Sequence, residues 1–232
     1  MNVIITGASK GIGKAIALKF AESGATLFLC ARNNDMLQKA IVEIHELYPS
    51  VVIHSYQADL SIKAQVEDFA SFCLKIGVPN IVVNNVGTYL PGKVMDEVEG
   101  NLEKALNINL FSAYYLTRKL LPSMIKNESG HIFNMCSIAS LKGYEGGGSY
   151  GISKFALNGF NQNLRLELMQ HNIKVTGVFP GAVITDSWGN FDNSTKRMME
   201  PSDIAEMIFS ATKLSSQAVV EDIVIRPMLG DL

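Results

Sequence analysis

The sequence is poor in the features that hold a chain together or tether it from outside. Its three cysteines, Cys30, Cys73 and Cys136, are odd in number, stand in no C-x-x-C spacing, and each lies in an apolar run. Neither a disulfide framework nor a metal site is expected, and the thiols read as reduced, small core hydrophobes. No apolar run reaches the ~18 residues of a membrane span. The first strand-like run starts at Asn2, so no signal peptide is expected ahead of it and the expected location is cytoplasmic. Charge is also scarce: 18% of residues are Asp, Glu, Lys or Arg, with a net charge of −2. That excludes broad attraction to nucleic acid or an anionic membrane and leaves recognition to a local site. There is one tryptophan, Trp188, and no linker, repeat or low-complexity segment.

What is present is apolar material, 47% of 232 residues, enough for the core of one α/β domain covering 1–232. Short β-branched runs at 3–6, 26–30, 51–56, 81–83, 131–135, 174–178 and 219–225 alternate with amphipathic stretches. Most are continuous apolar runs, the pattern of strands buried on both faces. Gly24-Ala25 is a helix stop followed by a strand start. The expected fold is a Rossmann-type, doubly wound, seven-stranded and mostly parallel sheet with helices on both faces. Gly146-Gly147-Gly148 reads as a loop and as the mobile edge of an active site.

The first strand runs into Thr6-Gly7-Ala8-Ser9-Lys10-Gly11-Ile12-Gly13, and a helix follows at once. Such a turn is an anion site, because backbone N–H groups and the helix dipole point at the ligand and glycine lets a pyrophosphate approach. The spacing, G-x-x-x-G-x-G, differs from the commoner dinucleotide fingerprint. It resembles the cofactor motif of the short-chain dehydrogenase/reductase family, and further matches follow in that family's order along nearly the whole chain. The resemblance assigns Gly7, Ser9, Lys10, Gly11, Ile12 and Gly13 to a nicotinamide dinucleotide. It places Asp59 and Leu60 at the adenine, and Asn84-Asn85-Val86-Gly87 around the cofactor, with Val86 where the family has alanine.

Tyr150 and Lys154 are four apart, on one face of a helix, with Ser137 thirteen residues earlier at a strand end. A free phenol has a pKa near ~10, and a cationic neighbour is expected to lower it, making Tyr150 a usable general acid–base. Ser137 is placed to hydrogen-bond a substrate oxygen as it gains charge. With Asn109, which the resemblance makes a helix-kinking residue holding a relay water, these complete the family's catalytic tetrad; the neighbouring Asn107 is set aside. The family's Pro-Gly loop matches Pro180-Gly181-Ala182-Val183-Ile184-Thr185, which implies that Val183 and Thr185 hold the carboxamide.

NAD sites place a carboxylate at the end of the second strand. Here that position is Ala31, Arg32 follows, and Lys10 lies in the glycine turn, a set that favours NADP(H) over NAD(H). The substrate is a small-molecule carbonyl. Trp188, in the run Asp186-Ser187-Trp188-Gly189-Asn190-Phe191, and Tyr144, in the loop after Ser137, are its expected walls. The run 220–227 followed by Gly230-Asp231-Leu232 is similar to the tails of bacterial sepiapterin reductases and unlike those of 3-ketoacyl-carrier-protein reductases. A 3-ketoacyl thioester and a small hydroxy acid stay open as substrates. A non-enzymatic NADP sensor would lack part of the tetrad. Helices over about 106–126 and 150–170, with Tyr114, Tyr115, Leu116, Phe155, Phe160 and Leu164, imply a homodimer or homotetramer.

Overall fold

A computed structural model of the chain describes residues 1–189 and 192–231; Asn190 and Phe191 of the expected substrate loop, and Leu232 of the tail, lie outside the described residues. The strands are β1 (Asn2–Thr6), β2 (Thr26–Ala31), β3 (Ile53–Gln57), β4 (Ile81–Asn84), β5 (Gly130–Met135), β6 (Ile173–Pro180) and β7 (Asp222–Ile225). They form one sheet in the order β3-β2-β1-β4-β5-β6-β7, and every adjacent pair is parallel. The expectation of a mostly parallel sheet is thus exceeded. The last strand is shorter than its apolar run: before Asp222, the Val220 carbonyl accepts from Thr176 Oγ1 at 2.6 Å instead of joining a ladder.

The helices between them are α1 (Gly11–Glu22), α2 (Asn34–Leu47), α3 (Lys63–Ile76), α4 (Asn101–Leu106), α5 (Ser112–Lys126), α6 (Gly148–Leu168) and α7 (Pro201–Thr212). Alternate residues of each strand feed two cores, as the period of two requires. Val3, Ile5, Leu27, Leu29 and Val83 meet Ile16 and Phe20 of α1 and Ile204 and Ile208 of α7. Ile4, Phe28, Val82 and Ile132 meet Phe69 of α3, Leu116 and Leu120 of α5 and Leu164 of α6. Each such fully buried side chain contributes roughly 1.5–3 kcal/mol. Leu116 and Leu164 therefore belong to the core, not to surface left over for a second subunit.

Polar bonds fix the two helices nearest the site. Asn84 Nδ2 donates to Thr117 Oγ1 of α5 (3.0 Å) and to Asn134 Oδ1 of β5 (2.9 Å). Asn134 Nδ2 donates in turn to Asn161 Oδ1 of α6 (2.9 Å). All three asparagines are buried, and their bonds tie β4, β5, α5 and α6 to one register where apolar packing would tolerate slippage, although Asn84 Oδ1 and Asn161 Nδ2 find no partner among the described residues. Cys30, Cys73 and Cys136 are free and buried, and burial pushes the Cys30 and Cys136 thiols up to about 12. No helix among the described residues is long and apolar enough to cross a membrane.

Candidate active site

Strand order reverses between β1 and β4, and a cleft of about 1380 Å³ opens there along the C-terminal strand ends. Open parallel sheets bind ligands at that place. The glycine turn forms its floor. A Cβ on Gly13 would stand 2.6 Å from Asn85 Nδ2 and closer still to the Gly7 carbonyl oxygen, so only glycine lets α1 approach β1 this closely. The Thr6 hydroxyl accepts from the amides of Asn85 (2.9 Å) and Val86 (3.0 Å), and Asn85 Nδ2 donates to the Thr6 carbonyl (2.8 Å). These bonds join the ends of β1 and β4 into one rigid edge.

Arg32, Asp59 and Leu60 line the cleft at the ends of β2 and β3. Asn33 caps α2 through the Met36 amide (2.9 Å). Burial alone would raise the Asp59 pKa. Its Oδ1 accepts from the Ser61 amide (3.0 Å) and hydroxyl (2.7 Å), and those bonds with the Arg32 charge hold it below the ordinary carboxylate value. Lys10 also lines the cleft, but its ammonium pairs with Asp186 at 2.5 Å, across to the segment after β6. That segment sits on the glycine turn: a Cβ on Gly11 would meet Thr185 Cγ2 at 3.3 Å. Its base is closed by Met199, whose carbonyl accepts from the Ile184 amide (2.9 Å). Ser9, Ile12, Gly87, Pro180, Gly181, Val183, Trp188, Arg226 and Asp231 complete this part of the wall.

Ser137, Tyr150 and Lys154 meet at the ends of β5 and β6. Ser137 leads into a short 3₁₀ turn, its Oγ accepting from the Ala139 amide while its own amide donates to Ser140 Oγ, both at 3.1 Å. The turn holds Ser137 at the cleft, where it bonds to the Tyr150 phenol. Lys154 is 5% exposed and donates to the Met135 carbonyl at 2.7 Å; burial lowers its pKa from 10.5 to about 8. Its ammonium lies 5.9 Å from the Tyr150 ring centroid. The phenol does not behave as the sequence suggested. Burial raises the Tyr150 pKa above 10, and the Ser137 bond, which lowers it, does not compensate. The ammonium is spent on a carbonyl, and removal from water outweighs it.

Asn109 stands in a π-helical turn, Asn107–Phe111, between α4 and α5. It is buried while Asn107 is only partly covered. Its Oδ1 accepts from the Thr88 amide (2.7 Å); its Nδ2 donates to the Thr88 carbonyl (3.1 Å) and to Ser153 Oγ (2.8 Å). Both amide hydrogens are therefore committed, and the side chain is a clamp between the loop after β4 and α6. That same loop carries Tyr89, a wall residue that sequence reasoning missed. Its ring stands edge-on to Tyr150, centroids 4.9 Å apart, and its hydroxyl bonds to Tyr144. Its position two residues past the Asn-Asn-Val-Gly run was the available signal.

A glycine turn at the switch point of a doubly wound sheet, facing a serine, a tyrosine and a lysine across one cleft, defines a dinucleotide-dependent oxidoreductase. The family model described as short chain dehydrogenase matches residues 1–196, and the chain belongs to that family. It is 34% identical to a sepiapterin reductase of Chlorobaculum tepidum, over 99% of this chain and 97% of that protein. Among solved structures it is similar to a metagenomic short-chain oxidoreductase in complex with NADP (30% identity, TM-score 0.85, covering 98% and 97% of the two chains). It also resembles an alcohol dehydrogenase of Thermococcus sibiricus complexed with 5-hydroxy-NADP (26% identity, TM-score 0.92, 100% and 98%).

Proposed function

We propose that this protein reduces a ketone with NADPH, with Tyr150 as general acid. The observation that carries this is the meeting of Tyr150, Ser137 and Lys154 at the far end of a cleft whose floor is the glycine turn. The turn fits a dinucleotide: Gly13 packs too closely on the Gly7 carbonyl to carry a side chain, and Gly7, Ser9, Gly11 and Ile12 line the cleft at the start of α1, where helix-start amides favour an anion. Arg32 and Lys10 would hold the adenosine 2′-phosphate, Asp59 and Leu60 the adenine, and Val183 and Thr185 the carboxamide. When bound, NADPH supplies the hydride.

The chain's own residues do the rest. Tyr150, protonated at neutral pH as a phenol ordinarily is and kept so by burial, gives its proton to the carbonyl oxygen. Ser137 donates a hydrogen bond to that oxygen as charge develops. Lys154 has three donors; Met135 takes one, leaving two for ribose hydroxyls. Asn109 holds the loop and α6 in register. Trp188 and Tyr144 both line the cleft, which supports a flat pterin-borne or dicarbonyl ketone as the substrate they would flank. The reading extends to a homodimer or homotetramer through the outer faces of α5 and α6, where Phe155 is 45% exposed, and to the cytoplasm.

Two measurements test this. Comparing sepiapterin with a 3-ketoacyl thioester, each with NADPH and NADH, is expected to give fastest turnover of sepiapterin with NADPH. Preference for the thioester would reject the substrate while keeping the mechanism. Arg32→Asp is expected to raise the NADPH KM about 100-fold, the equivalent of a lost charge-assisted bond of about 3 kcal/mol, and to move the NADH KM far less. An equal effect on both cofactors would remove Arg32 from the phosphate site.

A further inference from the structure

Helix α6 carries Tyr150 and Lys154, yet it begins without a cap of its own. Gly147 at its N-cap makes no side-chain bond, and its first turn holds no acidic residue. The free amides of a helix start need acceptors, and the dipole there favours negative charge. One acceptor comes from far along the chain. Glu97 Oε1 accepts from the Ser149 amide at 2.6 Å, and Glu97 Oε2 accepts from the Ser149 hydroxyl. Ser149 is fully buried, and within 93–100 only Glu97 is partly covered.

Of the glycines of 146–148, Gly148 is the one this contact requires. A Cβ on Gly148, whose φ is +27°, would stand 2.7 Å from Glu97 Cδ and closer still to Oε1. A Cβ on Gly92 would press on Glu97 Cγ at 2.8 Å. The Gly92 amide donates to the Gly146 carbonyl (2.9 Å), and Lys93 pairs with Glu145 at 2.9 Å. The run that read as a mobile edge is bolted to the loop after β4. That loop is held at one end by Asn109 on Thr88 and at the other by Glu97. Between them, Tyr89 lies edge-on to Tyr150.

We propose that Glu97 is a positioning residue for the reaction: by capping α6 through Ser149, it holds the Tyr150 hydroxyl in register with Ser137 and with the Tyr89 wall. The proposal rests on the reading of Tyr150 as the general acid. Glu97 touches neither substrate nor cofactor site, so its loss is expected in kcat and not in cofactor affinity. Displacements well under 1 Å at the proton donor are enough for such an effect.

The test uses the full chain with saturating NADPH and whichever of sepiapterin and acetoacetyl-coenzyme A the wild type reduces. Glu97→Ala is expected to lower kcat about tenfold while the NADPH KM stays within about twofold. Glu97→Gln, which keeps an acceptor for the Ser149 amide, is expected to lie between them. Amide hydrogen exchange over 146–156 is expected to quicken in both. Should Glu97→Ala not fold, Ser149→Ala removes the hydroxyl arm alone and is expected to lower kcat at unchanged NADPH KM. Faster exchange with wild-type kcat would reduce Glu97 to a stability cap and overturn the proposal, and so would unchanged exchange. A wild type that reduces neither ketone would reject the proposed function, and is seen before any variant is made.

Discussion

Tyr150→Phe is expected to lower turnover about 1000-fold, within the range a positioned general acid contributes, while NADPH affinity stays within about twofold. The replacement keeps the ring, and with it the edge-on contact with Tyr89 at 4.9 Å and the packing of α6. Only the proton and the bond to Ser137 are lost. Steady-state loss of NADPH absorbance and a fluorescence titration of NADPH read the two quantities separately. Residual activity within tenfold of wild type would take the acid role from Tyr150. A pH profile adds a second check. The phenol, raised above 10, stays protonated through neutral pH, whereas Lys154 loses its proton near 8. Reduction is therefore expected to be level below about pH 8 and to fall above it, as the ammonium that holds the ribose becomes neutral. A profile level through pH 9 would reject a charged Lys154 as a requirement.

Gly13→Ala is expected to be the most damaging single substitution in the glycine turn, costing about 3 kcal/mol of stability, the upper range for overpacking. The melting temperature should fall by about 6–12 °C for a chain of this size, and NADPH binding should be lost. The added Cβ would have to push back Asn85 Nδ2 at 2.6 Å and the Gly7 carbonyl. Neither can move freely: Asn85 Nδ2 is bonded to the Thr6 carbonyl at 2.8 Å, and its amide to the Thr6 hydroxyl. Gly24→Ala is the control, since nothing lies within 4 Å of its added Cβ; its φ of +74° carries the strain of a left-handed residue alone. Calorimetry of both variants, with and without NADPH, separates steric closure of the turn from backbone strain. Equal losses in the two would mean that the close approach of α1 to β1 is not what Gly13 serves.

The sheet was legible in the sequence because strands buried on both faces must be apolar throughout, and the runs at 3–6, 26–30 and 81–83 have no other use. The glycine turn was legible because its requirement is local: strand, turn and helix start are consecutive, and each glycine answers to backbone a few residues away. The four-residue spacing of Tyr150 and Lys154 likewise follows from one helix. What remained hidden are contacts between residues with no sequence relation. Nothing near Glu97 announces that its carboxylate caps a helix 52 residues on. Nothing near Lys10 announces that it pairs with Asp186, 176 residues away.

Burial was hidden for the same reason. A lysine four residues from a tyrosine suggests a lowered phenol pKa. Whether the charge or the loss of water prevails depends on everything that packs around the pair, and here the loss of water prevails. Leu116 and Leu164 read as surface for a second subunit until the sheet beneath them was in place. Local geometry and apolar pattern thus determined the fold and the glycine turn, and the family resemblance supplied the candidate catalytic residues. The tertiary structure alone decided their desolvation, their long-range partners and the clamp on α6, because those depend on which distant surfaces exclude water together.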